Sequence, residues 1–242
     1  MNIGRYIAVT AVGLGVIAPV HAATLDWSVT SDNAFALYLS TNNTSAGTLI
    51  YSDLGGPASQ WGTAFSGSVA VSGEVYINIV GYNYTSSNGL WTSPGTPNGG
   101  GDNPAALLGS FTLSAGTFGN GTTSLVTGAA NWAAINVAPP SPDVPTTAPS
   151  PPWTTPTAAP ASFGANGIGP WGTITGIDSS ADWIWASNAD PVAYADFSTA
   201  LSVPLTSVAT PLPGTLPLLA SALGALGLFG WRRRRQAATS IG

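Results

Sequence analysis

Between Ala23 and Thr210 the chain contains no lysine, arginine, histidine or cysteine, and that gap constrains its fold more than any motif does. Arg5, Arg232 to Arg235 and the single histidine, His21, all lie outside it. The 10 acidic residues, Glu74 and the aspartates, all lie inside it, with no side-chain cation to pair with. Neither a salt bridge nor a disulfide can hold such a stretch, so apolar burial and hydrogen bonding must. Roughly 190 residues suffice for one core of sandwich size, and 9 Trp, 7 Tyr and 7 Phe are available to fill the whole chain's interior. With 44% hydrophobic residues and high Gly, Thr, Ser and Asn, the composition points to an all-β domain rather than to disorder.

The same gap excludes functions. An acidic surface without cations repels phosphate backbones, which removes nucleic acid as a partner. Ser-His-Asp catalysis, Schiff-base chemistry and imidazole or thiolate metal sites lack their residues. The chain therefore reads as non-enzymatic. One catalytic alternative stays open, a glycosidase using paired carboxylates, although nothing in the sequence pairs Glu74 with a particular Asp.

The two ends carry targeting information. Arg5 precedes an apolar run from Ile7 to Ala18, too short for the roughly 20 helical residues a bilayer needs. Pro19-Val20-His21-Ala22-Ala23 supplies a helix break and small residues, which predicts cleavage by signal peptidase after Ala22. An uncleaved N-terminal anchor is the alternative. At the other end, Thr210-Pro211-Leu212-Pro213-Gly214 leads into an apolar run from Leu216 to Trp231 and then Arg232, Arg233, Arg234 and Arg235. The arginines act as a membrane stop that holds the C-terminus in the cytoplasm.

This tail resembles the PEP-CTERM sorting signal, in particular its VPLPA variant, from which it departs at the first and last residues of the motif. The resemblance implies transient residence in the inner membrane, recognition by an exosortase-type transpeptidase at Pro211, Leu212 and Pro213, and transfer to the cell surface or extracellular matrix. An ordinary C-terminal anchor shares the apolar helix and the arginines but has no need of Pro-Leu-Pro. The expected organisation is a signal peptide over 1–22, a β-sandwich domain over 23–209 and a sorting and transmembrane segment over 210–235.

Within the domain, period-two alternation predicts strands. Leu25, Trp27 and Val29 form one apolar face, and Phe35, Leu37 and Leu39 resume it after a turn at Ser31-Asp32-Asn33. From Glu74 to Tyr84, Val75, Ile77 and Ile79 fall on one side and Tyr76, Asn78, Val80 and Tyr82 on the other. Leu107, Gly109, Phe111 and Leu113 are in phase on a further strand. Shorter strands are expected at Trp61 to Phe65, Ser124 to Val126, Trp132 to Val137 and Gly172 to Ile177. Trp183 and Trp185 should share one face of a strand with Ile184 on the other, and Val192 to Val203 should close the domain. Ser86 to Asn103 reads as a long loop. The proline-rich stretch 138–160 cannot sustain a sheet ladder and reads as an insertion within the domain, with an interdomain linker as the alternative.

The order Asp32-Asn33-x-Phe35-x-Leu37-Tyr38, a strand ending in Gly81-Tyr82-Asn83, then Leu107-Leu108-Gly109-Ser110-Phe111, Ala181-x-Trp183-Ile184-Trp185 and Phe197 resembles the galactose-binding-like jelly roll. The implied fold is a jelly-roll β-sandwich flanked by an N-terminal signal helix and a C-terminal transmembrane helix. That module often carries an arginine shortly before the closing Phe, where this chain has Tyr194-Ala195-Asp196-Phe197, so any ligand contact made by that cation is missing.

The implied role is a surface or matrix protein associating with exopolysaccharide. Its alternative is a self-associating coat protein with no sugar ligand. Tyr82, Tyr84 and Trp91 beside the long loop are the candidate sugar-stacking residues, with covering of an apolar edge as the other reading. Calcium is the one cofactor the inventory suits, since it takes oxygen ligands alone. Asp32 with Asn33, and Asp102 with Asn103, are its candidate sites, and Asx turns are the alternative at both.

Overall fold

The computed structural model describes residues 22–54, 60–87, 90–94, 105–128, 130–137, 153–187 and 194–205, with helical positions between 218 and 231; residues 84–94 are described by their backbone. Residues 21–205 form one compact unit. Its strands are β1 (Ala23–Asp32), β2 (Ala34–Ser40), β3 (Thr48–Ser52), β4 (Phe65–Val71), β5 (Gly73–Tyr82), β6 (Tyr84–Ser87) and β7 (Leu90–Pro94). They continue as β8 (Ala106–Leu113), β9 (Thr117–Phe118), β10 (Ser124–Val126), β11 (Ala133–Val137), β12 (Ala161–Ala165), β13 (Asp182–Trp185) and β14 (Tyr194–Val203).

Two antiparallel sheets pack as a sandwich. One has the order β12-β13-β8-β1-β4, with β10 also on β8; the other has the order β11-β14-β5-β2-β3, with β9 also on β14. We call them sheets A and B. The strands β6 and β7 pair separately as a hairpin that starts at Tyr84 and runs into the stretch expected to be a loop. The chain crosses between the sheets repeatedly. Asn33, expected in a turn, is the corner at which β1 in sheet A passes into β2 in sheet B, and its N–H donates to the Tyr82 carbonyl at 2.8 Å.

The inter-sheet core follows the alternation. Leu25, Trp27 and Val29 from β1 meet Phe35 and Leu37 from β2, Val75, Ile77 and Ile79 from β5, and Phe197 and Leu201 from β14. Two glycines make room for its largest rings. A Cβ at Gly67 would lie 2.6 Å from the Trp27 ring, and one at Gly81 would lie 2.8 Å from the Trp185 ring. Alternation does not hold at β13, where Trp185 joins Ile184 in this core while Trp183 packs outside sheet A. Ile184 with Leu107 is the one pair to β8, and the ladder to β12, which includes Trp185 with Ala161, shifts register between Ser162 and Gly164, opposite Ile184 and Trp183, so the regular pleat is interrupted there.

The outer faces are graded. Along β8 the outward residues run from Ala106 and Leu108, which are buried, to Ser110 and Thr112. In sheet B they run from Tyr82, Val80 and Tyr194 through Asn78 and Ser198 to Glu74 and Ser202. The apolar ends of both faces lie at the β1–β2 corner, and each is covered. A segment around 163–181 brings Trp171, Ile174 and Ile177 onto Ala106, Leu108 and Trp183. The Gly172 to Ile177 stretch is thus a covering loop rather than a strand. Its shape is set by Asn166, whose Nδ2 donates to the carbonyls of Ile174 and Ile177 and whose Oδ1 accepts from the Ile174 N–H. On sheet B the end of the proline-rich stretch lays Trp153 against Tyr38, Val80, Tyr82 and Tyr194. Ala158 bridges to Ala134 there.

The described positions between 218 and 231 are helical. Among the described residues, no helix is long and apolar enough to cross a membrane.

Candidate functional site

The strand β8 offers one edge to two partners. Residues Ser110–Thr112 pair with β10, and Leu107 pairs with β13. Thr127 joins the two. Its N–H donates to the Gly109 carbonyl at 2.9 Å, and its Oγ1 accepts from the Gly109 N–H at 3.0 Å while donating to the Asp182 carbonyl at 2.7 Å. Its carbonyl accepts from the Asp182 N–H at 2.8 Å. With both of its polar sites used, Thr127 is fully buried without cost.

Beside this splice the polar end of the outer face of sheet A opens into a groove of about 690 Å³. Its floor is Ser110 and Thr112 of β8 with Ser124 of β10. One wall is the turn carrying Asn120 and Thr122, and the other is the covering loop from Gly176 to Ser180 with Asp182. Both walls are stiffened locally. Asn120 Oδ1 accepts from the N–H and the hydroxyl of Thr122, each at 3.0 Å. Asp178 Oδ1 accepts from the Ser180 N–H at 2.8 Å and from its hydroxyl at 2.7 Å, which holds the Asp178 carboxyl below its ordinary value of 3.8. Asp182 Oδ2 accepts from the Ser162 hydroxyl at 2.8 Å. The groove thus presents hydroxyls, amides and two carboxylates, and no cation. Such a surface can donate to and accept from hydroxyl groups and has nothing to attract an anion.

The residues singled out from the sequence lie elsewhere. Tyr82 is fully buried, edge-on to Tyr194 with ring centroids 5.1 Å apart, so it offers no face for a sugar. The alternation itself places it opposite the core side of β5; the cover that buries it comes from Trp153, far along the chain. Tyr84 and Trp91 are placed by backbone alone, on the β6–β7 hairpin. Asp32 and Asn33 are both 5% exposed, not an open loop turned toward a cation. Asp32 is the last residue of β1, and its Oδ2 accepts from Trp171 Nε1 at 2.9 Å. Asp102 and Asn103, the processing residues Pro211, Leu212 and Pro213, and Arg232, Arg233, Arg234 and Arg235 lie outside the described residues. Ala22 is exposed and directly precedes buried Ala23 at the start of β1. Among the described residues, no three His, Cys, Asp or Glu side chains gather to hold a metal.

Burial perturbs three other carboxyls. It pushes Asp32 up to about 6, against the opposing Trp171 hydrogen bond. It pushes Asp53 up to about 7, although Asp53 Oδ1 accepts from the Phe35 N–H at 2.7 Å. It likewise pushes Asp196 up to about 7, where Oδ2 accepts from the Thr154 N–H at 2.8 Å. All three stand near the covered end, away from the groove floor. Comparison with protein-family models, with curated proteins and with solved structures gives no match.

Proposed function

We propose that this is an exported, non-enzymatic surface or matrix protein that associates with exopolysaccharide through the groove on sheet A. The observation that carries the reading is the chemistry of that groove: hydroxyls, amides and carboxylates on two stiffened walls, in a domain with no side-chain cation. Hydroxyl-rich glycan fits such a lining, and a charged phosphate or sulfate does not. The sandwich, with its repeated crossings between sheets, supports the jelly-roll reading. Signal peptidase cutting after Ala22 would leave β1 whole. An exosortase-type transpeptidase acting at Pro211 to Pro213 would then release the domain from its transient place in the inner membrane.

Catalysis finds no support in the groove. A glycosidase needs one carboxyl held protonated, but Asp178 is held low by its Ser180 donors, and the three carboxyls that are pushed up are buried and do not line the groove.

Affinity electrophoresis in gels containing neutral or acidic polysaccharide tests the reading. Retardation by a neutral glycan, lost in an Asp178→Ala/Asp182→Ala double variant, is the expected result. Free migration in every glycan would count against it. Mass spectrometry of the mature C-terminus checks the processing step, and an intact Arg232 to Arg235 would replace sorting by plain anchoring.

A second reading, self-association, has its own observation. The edge strands β3 and β4 carry no charged residue and no proline, the devices that usually keep edges apart. Assembly that rises with concentration in the absence of sugar would favour it.

A further inference from the structure

We infer that Asp32 and Asp196 form a pH-sensitive latch that holds the two covers against the sandwich while these carboxyls are uncharged and releases them on ionisation. This does not rest on glycan binding, and it goes beyond it.

The geometry is the same on both faces. Each cover is tied to its sheet by a hydrogen bond to a buried aspartate: Trp171 Nε1 to Asp32 on sheet A, and the Thr154 N–H to Asp196 on sheet B. A buried carboxylate needs a cation or several donors to be tolerated. Asp32 and Asp196 are 5% and 1% exposed and accept these N–H donors, and the stretch from Ala23 to Thr210 holds no cation.

The titratable groups facing Asp196 are the phenols of Tyr38 on β2 and Tyr82 on β5, and Tyr194 and Asp53 act on Tyr82 in turn. Burial pushes both phenols up, so they are neutral where a carboxyl titrates and supply no compensating positive charge. Burial opposes the ionisation of Asp32, against the hydrogen bond from Trp171. Lifting a cover admits water to the carboxylate, so a closed cover and an ionised aspartate compete.

Closure is strongest in acid and weakens as pH rises through the range from about 4 to about 7. Because Ile177, Asp178 and Ser180 sit on the sheet A cover, release there also dismantles one groove wall.

Hydrogen exchange on the full-length chain, corrected for intrinsic rates, tests the latch. From pH 5 to pH 8, protection at Thr154 and Ala158 and at Gly172 and Ile174 is expected to fall at least about tenfold, the factor that one unit of pKa difference carries. Protection in β5 and β14 should not change. Asn keeps an acceptor oxygen but cannot ionise, so Asp196→Asn should flatten the profile over 153–158 alone and Asp32→Asn over 166–177 alone. Protection independent of pH, or variants that keep the native profile, would overturn the latch. Carboxyl carbon NMR of the unsubstituted chain gives a second measure that no folding failure can obscure. Elevated titration of Asp32 and Asp196 supports the latch, and ordinary values near 4 would overturn it.

Discussion

The inter-sheet core and the two outer clusters bury side chains equally well by different means. The core is built from apolar neighbours in regular strands, with the Tyr51 phenol packed at its edge. The outer clusters are aromatic, roofed by irregular chain and tied by carboxylates, and the Trp171–Asp32 tie joins residues 139 apart in sequence. The difference teaches that burial alone can close the sandwich, whereas closing its faces requires polar anchors whose protonation then matters.

Four measurements would break or sharpen that contrast. The largest effect expected is on the whole domain's pH dependence. A carboxyl raised in the folded state stabilises fully below its unfolded value and loses that contribution as pH rises through its folded value. Stability should therefore be greatest below about pH 4, fall through pH 6 to 7 and level off above. At about 1.4 kcal/mol per unit, one aspartate keeping its full rise to about 7 accounts for about 4 kcal/mol. Urea unfolding from pH 4 to 8 measures it, and a maximum near neutrality would contradict the assignment. The core should be affected at every pH alike: Trp185→Ala should cost about 3–5 kcal/mol by leaving a cavity beside Phe197 and Gly81.

Gly81→Ala adds a methyl where the Trp185 ring already stands, and a loss of about 1–3 kcal/mol is expected from thermal unfolding. Trp171→Phe preserves a ring over Trp183, with which Trp171 now stacks at 4.6 Å, but removes the donor to Asp32. It should cost about 1–2 kcal/mol in denaturant unfolding, less than the core changes, and should loosen the sheet A cover while leaving the sheet B cover as it was.

Sequence alone carried the core well and the site poorly. Along β5, β8 and β14, long apolar alternation meets a ladder on both sides, so the pleat fixes which residues face inward. The edge strands were harder. The strand expected at Trp61 to Phe65 is instead β4 from Phe65 to Val71, because Trp61 stands in a turn whose carbonyl accepts from Thr30 Oγ1. Tyr82 looked like a loop aromatic because its cover is supplied by Trp153. The groove was not legible for the same reason: Asn120-Gly121-Thr122 and Asp178-Ser179-Ser180 each read locally as a turn, and only the shared edge of β8 sets them on opposite walls. Long-range closure, not local pattern, makes the site.

The stretch without cations has one more consequence, in covalent chemistry. From Ala23 to Thr210 there is no lysine or arginine side chain for a trypsin-type protease to seat beside the bond it cuts. There is likewise no lysine amine to be acylated or joined to a neighbour by an isopeptide bond, and no thiol to be oxidised. A domain held together without basic residues is thereby also hidden from the reagents that act on them, and covalent attachment within it is left to its hydroxyl, amide and carboxyl groups.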